Sequence, residues 1–157
     1  SVHHDHTMAE LKTGRFSVEL VLANGKTVSA LTRAINGHTF DLVEQAVKEL
    51  EEERMGLLAE APSLKQALVS EDSGKTSLSQ IQELSAKAPE LNSKARRLKV
   101  KTTLVIGRLM IDTDVQSAAA YKDEAESGID SDFWKSQDLT ALGEAVKRFR
   151  GLLFGGE

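Results

Sequence analysis

The six residues that open the chain, Ser1-Val2-His3-His4-Asp5-His6, are chemically its most reactive-looking piece. A free amine on Ser1, two backbone amides and the His3 imidazole form a square-planar donor set of the kind Cu(II) and Ni(II) prefer. His4 and His6 add two more imidazoles. Short His-rich tracts also bind metal without having a metal role. The favoured reading of residues 1–13 is therefore a polar arm, partly an expression remnant before Met8. His3, His4 and His6 stand as candidate metal ligands, and no cofactor is expected.

The strongest functional signal is cationic. Lys94, Arg96, Arg97, Lys99, Lys101 and Arg108 fall within residues 94–108, and no acidic residue lies between Leu91 and Ile111. Such a run can bind phosphates, but no aromatic sits within it to stack on bases. Glu49, Glu51, Glu52 and Glu53 form an opposing acidic run, within the chain or on a neighbouring copy. The readings rank as a solvated helix face, then a complementary subunit contact, then nucleic acid. Phe154 is a further candidate contact: it follows an apolar seam and adjoins Gly155-Gly156, so it could insert into a neighbouring subunit.

Other spacings imitate known chemistry and stop short of it. Ser73-Gly74-Lys75-Thr76 resembles the end of a phosphate-binding loop, but Val69 stands where that loop needs its first glycine. Asp112, Asp114 and Gln116 imitate the opening of a calcium loop, but Ser117 replaces the turn glycine and Asp123 the final glutamate. There is no Cys, and His38 is the one His beyond the first six residues. No nucleophile motif accompanies it. No carboxylate pair stands out as a tuned acid, and no enzyme is expected.

Composition bounds the rest. The 157 residues suit one compact domain over residues 14–153, between the arm and a tail at 154–157. Only seven residues are aromatic, so Leu, Val, Ile and Ala must build the core. The net charge of −4 gives no general pull toward nucleic acid or membranes. No apolar run approaches the ~18 residues that span a bilayer, and a cytoplasmic protein is expected.

Period-2 alternation of Phe16, Val18, Leu20 and Leu22 against Ser17, Glu19 and Val21 predicts a strand. Asn24-Gly25 predicts a type I′ turn, with both residues at positive φ, and Thr27 to Leu31 the returning strand. The hairpin occupies residues 15–32. Phe40, Val43, Val47, Leu50, Leu57, Leu58 and Ala61 predict a helix from Thr39 to Pro62. A short helix should follow at 63–69, then a polar loop, then a segment capped by Ser77 and closed by Pro89. Residues 90–112 read as helix or strand, with helix preferred. Residues 115–126 predict a helix. Asp138 should cap a last one carrying Leu139, Leu142, Val146, Phe149 and Leu153. The fold class is mainly α with α+β character: a short N-terminal hairpin packed on a bundle of about four to six helices.

The hairpin at 16–31, the segment Leu104-Val105-Ile106-Gly107-Arg108-Leu109-Met110-Ile111-Asp112 and the short closing helix together resemble small tailed-bacteriophage virion proteins, notably tail-assembly chaperones. That resemblance implies an assembly role, a virion-associated location and no catalytic residues. A non-enzymatic structural or assembly protein, homo-oligomeric or part of a larger assembly, is the leading expectation. A nucleic-acid-associated regulator using residues 94–108 is second, and an enzyme with an unrecognised site last.

Overall fold

The computed structural model describes residues 14–70 and 78–155, with side chains at 14–60 and 88–155. The His-rich start and Ser73 to Thr76 lie outside the described residues. The expected hairpin is present. β1 (Ser17–Val21) pairs antiparallel with β2 (Thr27–Leu31), Val18 opposite Ala30 and Leu20 opposite Val28. Phe16, Val18 and Leu20 are buried, while Ser17, Glu19 and Val21 are exposed, as strand alternation requires.

The turn differs from the one expected. Gly25 has φ +86, but Asn24 does not enter the positive-φ region. The Gly25 N–H donates to the Leu22 carbonyl and the Leu22 N–H to the Lys26 carbonyl. This is a three-residue loop with glycine at its left-handed position. Asn24 acts through its side chain, accepting from the Lys26 N–H at 2.9 Å.

The helices run longer than the prolines suggest. α1 (Gly37–Ser70) and α2 (Leu78–Met110) continue through Pro62 and Pro89. A proline inside a helix removes one hydrogen bond and costs ~3 kcal/mol. Both helices nevertheless run on past their prolines. Asn36 is the α1 cap: its side chain accepts from the Thr39 N–H at 3.0 Å. The ambiguous 90–112 segment is helix to Met110, and the strand alternative survives as a single bridge, Ile111 to Thr32.

Residues 115–126 are not one helix. A 3-10 turn (Gln116–Ala120) gives way at Tyr121 to α3 (Lys122–Ala125). Tyr121 is buried and holds a phenol in the core, an anchor that outweighs the helix propensity of the alanine run. α4 (Asp132–Lys135) follows, capped by Ser131, and α5 (Leu139–Phe154) is capped by Asp138, as expected, and closed by Gly155 at φ 68. Among the described residues, no helix is long and apolar enough to cross a membrane.

The chain divides into two compact units. The first, here the hairpin unit, comprises Ser1–Val47 and Lys101–Glu157; the second, the two-helix unit, is Lys48–Val100. The core of the hairpin unit gathers Leu20, Val43, Ile106, Met110, Ile111, Tyr121, Trp134 and Phe149, all fully or nearly fully buried.

Gly107 sits where α2 meets α5. A Cβ built there lies 3.1 Å from both methyls of Leu142, which is 2% exposed and has little room to yield. Gly143 faces open space. Gly143→Ala should therefore stabilise the protein by about 0.5–1 kcal/mol. Gly107→Ala should destabilise it by about 1 kcal/mol, overpacking outweighing the same backbone gain. Chemical denaturation followed by Trp134 fluorescence measures both.

Candidate interaction surface

Several polar side chains of the hairpin unit hold backbone. The Arg15 guanidinium meets Asp112 Oδ2 at 2.6 Å, and its Nε donates to the Thr32 carbonyl at 2.9 Å. Asp112 Oδ1 accepts from the Asp114 N–H. The carboxylate that opened the calcium-loop imitation is thus committed to a cation and a turn. Arg33 Nε donates to the Leu109 carbonyl at 2.6 Å, and the Tyr121 hydroxyl to the Asp112 carbonyl at 3.1 Å. Burial is the main cause that raises the Tyr121 pKa; the Leu31 N–H facing the phenol lowers it, Asp112 raises it and Arg15 lowers it. His38 is exposed in the first turn of α1. Among the described residues, no three His, Cys, Asp or Glu side chains cluster to hold a metal. His3, His4 and His6 lie outside that description.

The hairpin edges are partly closed. Strand parity turns the peptide groups of Ser17, Glu19 and Val21 away from β2. Gln137, 6% exposed, covers the last of these. Its Oε1 accepts from the Val21 N–H and its Nε2 donates to the Val21 carbonyl, both at 2.9 Å, so one side-chain amide imitates a third strand. Glu124 accepts from the Ala23 N–H at 2.7 Å. Sequence inspection missed Gln137, since a lone glutamine carries no positional signal.

The six candidate cations fall in both units. Arg108 is half-buried and clasps a loop, donating to the carbonyls of Ser127 at 2.7 Å and Glu126 at 2.5 Å. It belongs with Lys101 to the hairpin unit. Phe154 is 38% exposed and packs edge-to-face on Phe40, with ring centroids 5.3 Å apart. It is the last residue of α5.

Lys94, Arg96, Arg97 and Lys99 are exposed on the α2 segment of the two-helix unit, and Glu49, Glu51, Glu52 and Glu53 are exposed on its α1 segment. Glu51 pairs with Arg54 at 2.8 Å. A continuous 3-4 spacing orders these charges: Val47, Leu50, Arg54, Leu57 and Ala61 on α1; Ala88, Leu91, Ala95, Leu98 and Thr102 on α2. Glu51 and Glu53 flank the first stripe, and Lys94 and Lys99 the second, the positions where helix pairs match charges. Glu49, Glu52 and Met55 lie on the back of α1, and Arg96, Arg97 and Val100 on the back of α2.

Among the described residues of this unit, Leu50 is the one buried side chain, while Met55 is 55%, Leu58 45% and Val100 39% exposed. Comparison with protein-family models, curated proteins and solved structures finds no match.

Two outcomes follow from this geometry. Gln137→Leu should abolish protection of the Val21 amide in hydrogen exchange and cost about 1–3 kcal/mol, the price of two unsatisfied peptide groups. Stability should also fall in strong alkali. The ordinary tyrosine value is 10.0 and Tyr121 lies above it when folded, so the neutral phenol's contribution is complete below 10.0. It is lost as pH rises through the folded value. Tyr121 is the only tyrosine, so a tyrosinate absorbance titration set beside denaturation midpoints reads it directly.

Proposed function

We propose that this chain is a non-enzymatic assembly protein whose two-helix unit docks on other protein subunits, copies of itself included. One observation carries the reading. The unit has a single buried side chain among its described residues, yet it displays exposed Met55, Leu58 and Val100 between acidic and basic helix faces. A helix pair with one narrow seam gains little stability alone, and its outer faces are available for packing. The hairpin unit supports the same reading, because Arg15, Arg33, Arg108, Asp112 and Gln137 are used on backbone and on one another. The outline resemblance to tail-assembly and virion proteins of tailed phages points to the same class, with a cytoplasmic or virion location. Strand addition at the hairpin has little room, because Gln137 occupies the β1 edge at Val21.

A second reading has an observation of its own: the exposed cluster Lys94, Arg96, Arg97 and Lys99 suits phosphates. Residues 48–100 contain no aromatic for base stacking, and Glu49 to Glu53 in the same unit would repel a phosphate backbone. Hydrogen exchange of the intact protein, at low and high concentration and with duplex DNA added, separates the two. Exchange over residues 48–60 and 88–100 should slow with protein concentration and not with DNA. Slowing by DNA alone would put the nucleic-acid reading in its place.

A further inference from the structure

Asn24 and Asn36 each precede a glycine, Gly25 and Gly37. Such a pair can react with itself. The glycine nitrogen adds to the asparagine Cγ, and with no Cβ on the glycine that approach is unhindered. Both pairs are exposed, and a Cβ built on either glycine meets nothing within 4 Å. Both side chains are also held alike. Asn24 Oδ1 accepts from the Lys26 N–H at 2.9 Å, and Asn36 Oδ1 from the Thr39 N–H at 3.0 Å. An N–H on that oxygen stabilises the negative charge it gains as the ring closes.

What separates the pairs is the nucleophile, which must first shed its proton. The Gly25 N–H donates to the Leu22 carbonyl at 2.8 Å inside the hairpin loop, so reaction there has to break that bond. Gly37 is the first residue of α1, where helix N–H groups have no carbonyl one turn back. Its N–H has no acceptor among the described residues. The positive end of the helix dipole also favours an anion on that nitrogen.

We propose that Asn36-Gly37 is a site of spontaneous modification, where the folded chain converts Asn36 to isoaspartate or aspartate, while Asn24-Gly25 is held back by its loop. A base in the solvent takes the Gly37 proton, and the Gly37 nitrogen bonds to Asn36 Cγ. The Cγ–Nδ2 bond then breaks, and Nδ2 takes protons from water and leaves as ammonia. Water opens the resulting cyclic imide at either carbonyl. The two products act differently on α1. Aspartate keeps an acceptor for the Thr39 N–H and adds a negative charge at the helix start. Isoaspartate routes the main chain through Cγ. The carbonyl that accepts from the Phe40 N–H at 2.9 Å then becomes a free carboxylate outside the backbone. The first turn of α1 loses its frame at buried Thr39 and at Phe40, which packs on Phe154.

The test is incubation of the full-length protein in mildly alkaline buffer, followed by trypsin, which puts the two pairs in separate peptides, 16–26 and 34–48. Mass reads the change from amide to acid, and methyl transfer by an isoaspartate-specific methyltransferase reads the isoaspartate. In the folded protein Asn36 should convert ~10-fold faster than Asn24, about the worth of the hydrogen bond that Gly25 must break. In denaturant the two rates should converge, since no fold then distinguishes them. Gly37→Ala should slow conversion of Asn36 and leave the circular dichroism unchanged, because alanine fits both the open space and a helical backbone. Equal rates in the folded protein, or a faster Asn24, overturn the proposal. So does a gap that persists in denaturant, or a rate that Gly37→Ala leaves unchanged. In hydrogen exchange the isoaspartate product should lose protection at the Phe40 amide and the aspartate product keep it; equal protection in both overturns the effect on α1.

Discussion

Thr32 and Ile111 are both fully buried, and the backbone bridge between them joins the end of β2 to the end of α2 where no water can satisfy either strand. Every polar group around that bridge must therefore find a protein partner. The Arg33 N–H donates to the Met110 carbonyl and the Asp112 N–H to the Leu31 carbonyl. Thr32 also receives the Phe16 N–H on its hydroxyl and Arg15 on its carbonyl. Arg15 in turn neutralises Asp112, completing a closed polar knot where three segments of the chain meet. Breaking one member of a buried network strands the others, so this knot sets the register of everything attached to it.

What the knot fixes is a hairpin with one usable face and few usable edges. The inner face of the strands carries Phe16, Val18, Leu20 and Ala30 into the core, and Arg148 lies 4.1 Å above the Phe16 ring and covers it. Gln137 and Tyr121 attach the hairpin to the later helices through its peptide groups. Trp134, buried against Phe133, ties the same region together by donating to the Ala125 carbonyl at 3.1 Å. The hairpin unit uses these polar groups on itself, while among the described residues of the two-helix unit the charged side chains and Met55, Leu58 and Val100 lie on the outside.

Much of the fold is legible residue by residue. The strand alternation from Phe16 to Val21 needs only the two-residue repeat of a pleated chain. The Asp138 cap needs only an acceptor beside unpaired N–H groups; it receives Thr140 at 2.9 Å and Ala141 at 3.2 Å. Pro62 and Pro89 misled because a proline is a local penalty of ~3 kcal/mol, which by itself does not end a long helix. The alanine run at 118–120 misled for the opposite reason: its propensity is strong, but one buried tyrosine next to it decided the backbone.

The candidate surface divides in the same way. The charge of Lys94 to Lys99 and of Glu49 to Glu53 was visible from residue type alone, because ionised side chains without buried partners stay in water. That Arg108 is a loop clasp and Phe154 a partner of Phe40 was not visible, since both depend on residues distant in sequence. By itself the sequence determined the hairpin, the helical stripes, the caps and the sign of each exposed face, all set by neighbours within a few residues. Only the tertiary structure decided which cations are exposed, which edge Gln137 closes and where the chain divides into two units. Those outcomes turn on burial and on partners far along the chain, which no local pattern encodes.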